Sequence, residues 1–152
     1  MDGNRRENME LSQQARLTWA LLALRLTVFA VMLMWTIDKF VRPEHAAGVF
    51  EHFYAISGIG TTVVRVLGVL ELALLTAFVA GFARRWSYGL VLLLHAVSTL
   101  SSWRQYLHPF EGASILFFAA WPMLAACLAL YALRDSDTLT VEGRQQTNLG
   151  RA

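Results

Sequence analysis

Charge and cysteine are scarce in these 152 residues. Only 16% of the side chains are charged, against roughly 25% in an ordinary soluble domain. A chain this small has much surface for its volume, and so few charges cannot cover it in water. The scarcity weighs against a soluble globule. The single cysteine, Cys127, excludes an internal disulfide and any Cys-x-x-Cys redox or zinc motif, and its AACLAL setting reads as apolar packing. A net charge of +2 gives no reason to expect nucleic acid as a partner. No ligation pattern for haem, flavin or an iron–sulfur cluster is present. Bis-histidine haem needs two histidines in apolar runs, and only His95 lies in one. With no complete catalytic or cofactor motif, the chain is not expected to be an enzyme on its own.

What is abundant is apolar sequence, 56% of the chain, gathered in long runs. A helix that crosses a bilayer needs ~20 mostly apolar residues. Four segments fit, at about 17–37, 63–82, 86–103 and 112–133. The fourth holds no charged residue and the third only the titratable His95. The first encloses Arg25; the second encloses Glu71, with Arg65 near its start. The pattern predicts an all-α integral membrane four-helix bundle over residues 17–134, between polar tails at 1–16 and 135–152. Arg25 splits the first run and no small-residue cleavage site follows, so that run is expected to be a retained span and not a signal peptide.

Outside the spans, eight Lys and Arg fall on the side of the termini, whereas only Lys39, Arg42 and Arg104 fall on the other. That asymmetry predicts cytoplasmic termini and a multi-pass protein of the inner membrane. Trp19, Trp86 and Tyr131 then sit near the inner boundary, and Trp35, Trp103 and Tyr106 near the outer one, where amphipathic rings prefer the headgroup layer. The longest connection, residues 40–62, opens with Pro43 and carries Ala47, Phe50, Phe53 and Tyr54 at helical spacing. It predicts a short amphipathic helix on the outer membrane surface. Glu44-His45 and Glu51-His52 repeat seven residues apart on that helix. Exposed polar residues of an interfacial helix explain them, and no metal is expected.

Ionisable groups within the apolar runs carry most information, because each costs ~2.5–3.5 kcal/mol to insert unless compensated. At ~1.5 Å per residue, Arg25 and Glu71 each lie about 12 Å from a boundary, and His95 about 13–14 Å. All three fall near the middle of a core ~30 Å thick, which predicts an Arg25–Glu71 ion pair. On the third helix Tyr88, His95, Thr99, Ser102 and Tyr106 lie within about 40° of one direction, a polar stripe that should face the interior. Lys39 falls on the Arg25 side of the first helix, and Asp38 points elsewhere. Two arrangements satisfy these facts. Arg25, Glu71 and His95 form a structural network that fixes helix contacts, or they line a pocket with Lys39, Trp103, Arg104 and Glu111 at its mouth. Such a pocket suits a quinone headgroup or another small polar ligand. Pro122 in the fourth run frees a carbonyl and predicts a kink.

Three short motifs are similar to those of the DoxX-like membrane proteins: Leu24-Arg25-Leu26, Trp35-x-x-Asp38-Lys39-Phe40 and Gly68-x-x-Glu71-Leu72. The resemblance covers about residues 17–134. It implies a four-helix membrane bundle associated with redox systems, among them a small subunit of a thiosulfate–quinone oxidoreductase. Arg25, Asp38, Lys39 and Glu71 are the residues that match the pattern. The cysteine pair of thiol-handling members is missing, so thiol–disulfide chemistry is not expected. The combined expectation is a redox-associated accessory protein or small subunit of a quinone-linked system. Quinone is the one cofactor suited, and the partners are the bilayer, other subunits of a redox complex, or further copies of the chain. The alternative is a non-enzymatic assembly protein whose buried polar network is structural.

Overall fold

Apolar runs rich in Leu, Ala and Val, with Pro122 in the fourth as their one proline, favour helix throughout. The computed structural model describes residues 2–143, and among them every regular element is helical. Helix α1 is one rod from Asp2 to Val41, 40 residues long. The expected N-terminal tail is therefore helical as well, and residues 4–16 stand exposed. Pro43 has no N–H to continue the ladder, so it ends α1 and becomes the first residue of α2, Pro43–Tyr54. Helix α3 runs over Thr61–Ala80 and α4 over Arg84–Ser101, followed by the short α5, Trp103–Leu107. The fourth apolar run is divided into a 3-10 segment, Ser114–Ala119, and α6, Ala120–Ala132. Pro122 lies in the first turn of α6, where its missing N–H is not needed, and the change of helix type precedes it.

Helices α1, α3, α4 and α6 pack side by side in sequence order, and α6 returns to α1. Two glycines set the fit of α3. A Cβ on Gly68 would stand 2.9 Å from the Phe40 ring and 3.3 Å from the Lys39 Cβ, so its absence lets α3 approach α1 closely. Gly81, with φ of 66°, closes α3 in a left-handed cap that most side chains disfavour. Leu21 and Val28, Leu75 and Phe78, Tyr88 and Val91, Cys127 and Leu130 are spaced by seven or three residues. Each pair therefore shares a helix face, and the four pairs form the packed core. That core occupies the half of the body nearer the termini. The half nearer α2 is hollow.

Three helical stretches are long and apolar enough to cross a membrane: Asn4–Val41, Thr61–Ala80 and Ser114–Ala132. Buried shares of their most apolar windows are only 28%, 22% and 11%, so most of this apolar surface faces outward. Helix α4 is more polar, with Arg84, Arg85, Ser87, Tyr88, His95, Ser98 and Thr99 among its 18 residues. The far end of the expected C-terminal tail, residues 144–152 with Arg144 and Arg151, lies outside the described residues.

Candidate functional site

Two polar centres occupy opposite ends of the body. At the termini end, Arg25 is 2% exposed, and the chain after α6 turns back to meet it. Its Nη1 donates to Asp137 Oδ2 at 2.9 Å and to the Tyr88 hydroxyl at 3.0 Å, while Nη2 donates to the Leu139 carbonyl at 2.6 Å. Tyr88 in turn donates to the same Asp137 oxygen at 2.8 Å. Arg84, itself buried, donates to Glu142 Oε2 at 3.0 Å and to the carbonyls of Arg134 and Asp137 at 2.6 and 2.8 Å. Residues 134–143 are thus a plug, held by two arginines against the packed core. Arg25 Nε and Asp137 Oδ1 are buried without a partner among the described residues.

The expected Arg25–Glu71 pair does not form. Glu71 Oε2 lies 2.7 Å from Lys39 Nζ instead. Fourteen residues of helix separate Arg25 from Lys39, about 21 Å along α1. Equal depth does not bring the two together, because α3 is set further along the axis than its hydrophobic boundaries suggest. Gly68 lies against Phe40, near the end of α1, and Gly81 lies against Arg25.

Around Lys39 and Glu71 the hollow half encloses a cavity of about 740 Å³. Helix α2 roofs it with Ala46, Val49, Phe50 and Phe53, and Met32, His95, Ala120 and Met123 lie toward the packed core. The volume is in the usual range for small-molecule sites, ~300–1,000 Å³. Its walls are mostly apolar, with a few polar groups converging from three helices. The Lys39–Glu71 pair is largely buried, at 15% and 16% exposure, and Lys39 also donates to the Trp35 carbonyl at 3.3 Å. His95 Nε2 lies 3.1 Å from the Ala120 carbonyl. Thr99 donates to the His95 carbonyl at 2.8 Å and Ser102 to the Ser98 carbonyl at 3.2 Å. Val31, Trp35 and Leu116 line the cavity yet are 45%, 56% and 71% exposed, so it opens sideways onto the apolar flank.

Asp38 fixes the roof. It is 8% exposed and bridges the joint between α1 and α2, with Arg42 Nε at 2.6 Å and His45 Nδ1 at 2.7 Å. The acid next to Lys39 thus serves another purpose from Lys39: one positions α2, the other faces the cavity with Glu71.

Of the ten residues singled out from sequence, Asp38, Lys39, Glu71, His95, Thr99 and Ser102 line this cavity. Arg25 and Tyr88 belong to the plug instead, since α4 carries its polar stripe past both centres. Trp103 and Glu111 do not reach the cavity: Trp103 stacks under Arg104 at 5.4 Å, and Glu111 pairs with His108 at 3.3 Å on the surface. Tyr106 packs on Phe118 and Trp121, and its buried hydroxyl has no partner among the described residues; burial pushes its pKa up. His45 is bound to Asp38 and His52 meets Phe53 edge to face, and no group of three or more potential metal ligands occurs among the described residues. Sequence reasoning missed Asp137, Arg84 and Glu142. The alternation of Leu139 and Val141 with polar residues, in a stretch whose composition reads as tail, is the one signal the sequence offers for them.

No family model, curated protein or solved structure matches this chain.

Proposed function

We propose that this chain is a four-span membrane bundle that holds a lipophilic small molecule with a polar head, of the quinone class, beneath α2. In this reading α4 also crosses the membrane, as the third of four spans, its polar stripe turned inward, and both termini are cytoplasmic in the inner membrane. The protein serves a quinone-linked redox system as an accessory or small subunit. Membership of the DoxX-like family is part of the proposal and rests on the short motifs alone. The observation that carries the reading is the cavity: apolar walls, Lys39, Glu71 and His95 brought to it by three helices, and a side opening on a flank that lipid would cover. The largely exposed apolar faces of α1, α3 and α6 support lipid as solvent, since monomeric soluble proteins rarely expose contiguous apolar surface of this extent.

A second reading, an assembly protein whose polar groups only fix its shape, is favoured by the Arg25–Asp137 plug, which no ligand needs. The two are separated by filling the cavity. Val49→Trp projects an indole from the roof into existing empty volume, so overpacking is small. Purified in lipid nanodiscs and titrated with a short-chain benzoquinone, the variant should bind at least about tenfold more weakly with an unchanged melting temperature. Quinone binding equal to that of the parent, or none in either protein, favours the assembly reading.

A further inference from the structure

The polar groups of the cavity are not equivalent. Thr99 and Ser102 donate their hydroxyl hydrogens to backbone carbonyls of their own helix. Lys39 and Glu71 largely neutralise each other. The Ser98 hydroxyl and the remaining Lys39 hydrogen lie at least a few residues nearer the α2 end of their helices than the cavity floor. His95 is the innermost polar group, because one turn further along α4 stands Val91, fully buried in the packed core. Its Nε2 faces a carbonyl oxygen, which only accepts, so Nε2 must carry the hydrogen and donate to Ala120. In the uncharged ring the other nitrogen, Nδ1, is then a bare acceptor. No described residue hydrogen-bonds to it, and the imidazole lines the cavity.

We infer that His95 Nδ1 is the headgroup acceptor of this cavity, and that the occupant is a lipophilic molecule whose head donates a hydroxyl hydrogen, which within the quinone class is the quinol. The inference rests on the cavity reading given under Proposed function and narrows it. A quinone carbonyl brings a second acceptor to Nδ1 and gains nothing there; a quinol hydroxyl makes the bond that the Ala120 contact has prepared. The apolar remainder of the ligand lies along Met32, Met123 and Phe117 and leaves by the side opening near Val31 and Leu116.

The test is anaerobic calorimetry on the whole protein in lipid nanodiscs, with a short-chain benzoquinone and its quinol as probes. The parent should bind the quinol about tenfold more tightly than the quinone, the worth of one net hydrogen bond. His95→Phe should bind both forms equally. His95→Gln, whose amide can donate to Ala120 and present an oxygen in place of Nδ1, should keep part of the preference. Should His95→Phe fail to fold, Glu71→Gln decides: the dimethyl ether of the quinol, with no hydroxyl to donate, must lose the tenfold in the parent and must lose it equally in Glu71→Gln, since a preference carried by the other acceptor of the cavity, the Glu71 carboxylate, would shrink there. Equal binding of quinol, ether and quinone by the parent overturns the role of His95 while leaving the cavity reading intact. Absence of binding by all three removes both.

Discussion

Asp137→Ala is expected to destabilise the protein by about 3–5 kcal/mol, the usual result of removing one member of a buried ion pair. Arg25 and Asp137 are 2% and 0% exposed, so solvent screens neither. Without the carboxylate, the Arg25 guanidinium is left with the Tyr88 hydroxyl and the Leu139 carbonyl as neutral partners. The segment 134–143 then loses the contact that holds its middle to the core. Thermal unfolding in detergent or nanodiscs measures the effect, and Arg25→Met combined with Asp137→Leu should recover most of the loss, because neither member of the pair is then left as an unpaired buried charge. A single variant that unfolds within about 1 kcal/mol of the parent shows that the plug contributes little.

Gly81→Val should cost about 3 kcal/mol by two separate routes. At φ of 66° an L side chain costs roughly 1–2 kcal/mol, more for a β-branched one. The added Cβ also overlaps the Thr140 side chain and stands 2.9 Å from Arg25 Nη1, so the plug must shift, at roughly 1–3 kcal/mol for an overpacked site. Gly81→Val should therefore also expose residues 134–143 to limited proteolysis, which a purely local backbone effect does not do. Cleavage there no faster than in the parent contradicts the close approach of Thr140.

The helices were legible because a run of apolar residues long enough to cross a bilayer leaves few alternatives to helix, and Pro43 and the glycine-bearing turn at 57–60 mark their ends. The short helix after Pro43 was legible from that proline and from Phe50, Phe53 and Tyr54 at helical spacing. Its position was not: spacing shows that Phe50 and Phe53 share a face, but not whether that face meets lipid or roofs a hollow. Lys39, Glu71 and His95 stood out because charge and imidazole are costly inside apolar runs. Their pairing did not follow, since register between helices is set by close-packing positions such as Gly68 and not by distance from a hydrophobic boundary. The acid that satisfies Arg25 lies 112 residues away, in a segment whose composition reads as tail. A one-dimensional pattern carries no sign that such a segment folds back.

Hydrogen–deuterium exchange of the protein in lipid nanodiscs, with and without the short-chain quinol, addresses the site beneath α2 most directly. Exchange should slow on ligand addition in α2, residues 43–54, and in the cavity-facing turn of α4 around residues 94–102. It should stay unchanged in 134–143, which belongs to the opposite end. Slowed exchange in the plug with α2 unaffected would place the ligand elsewhere and contradict a binding site in the hollow half.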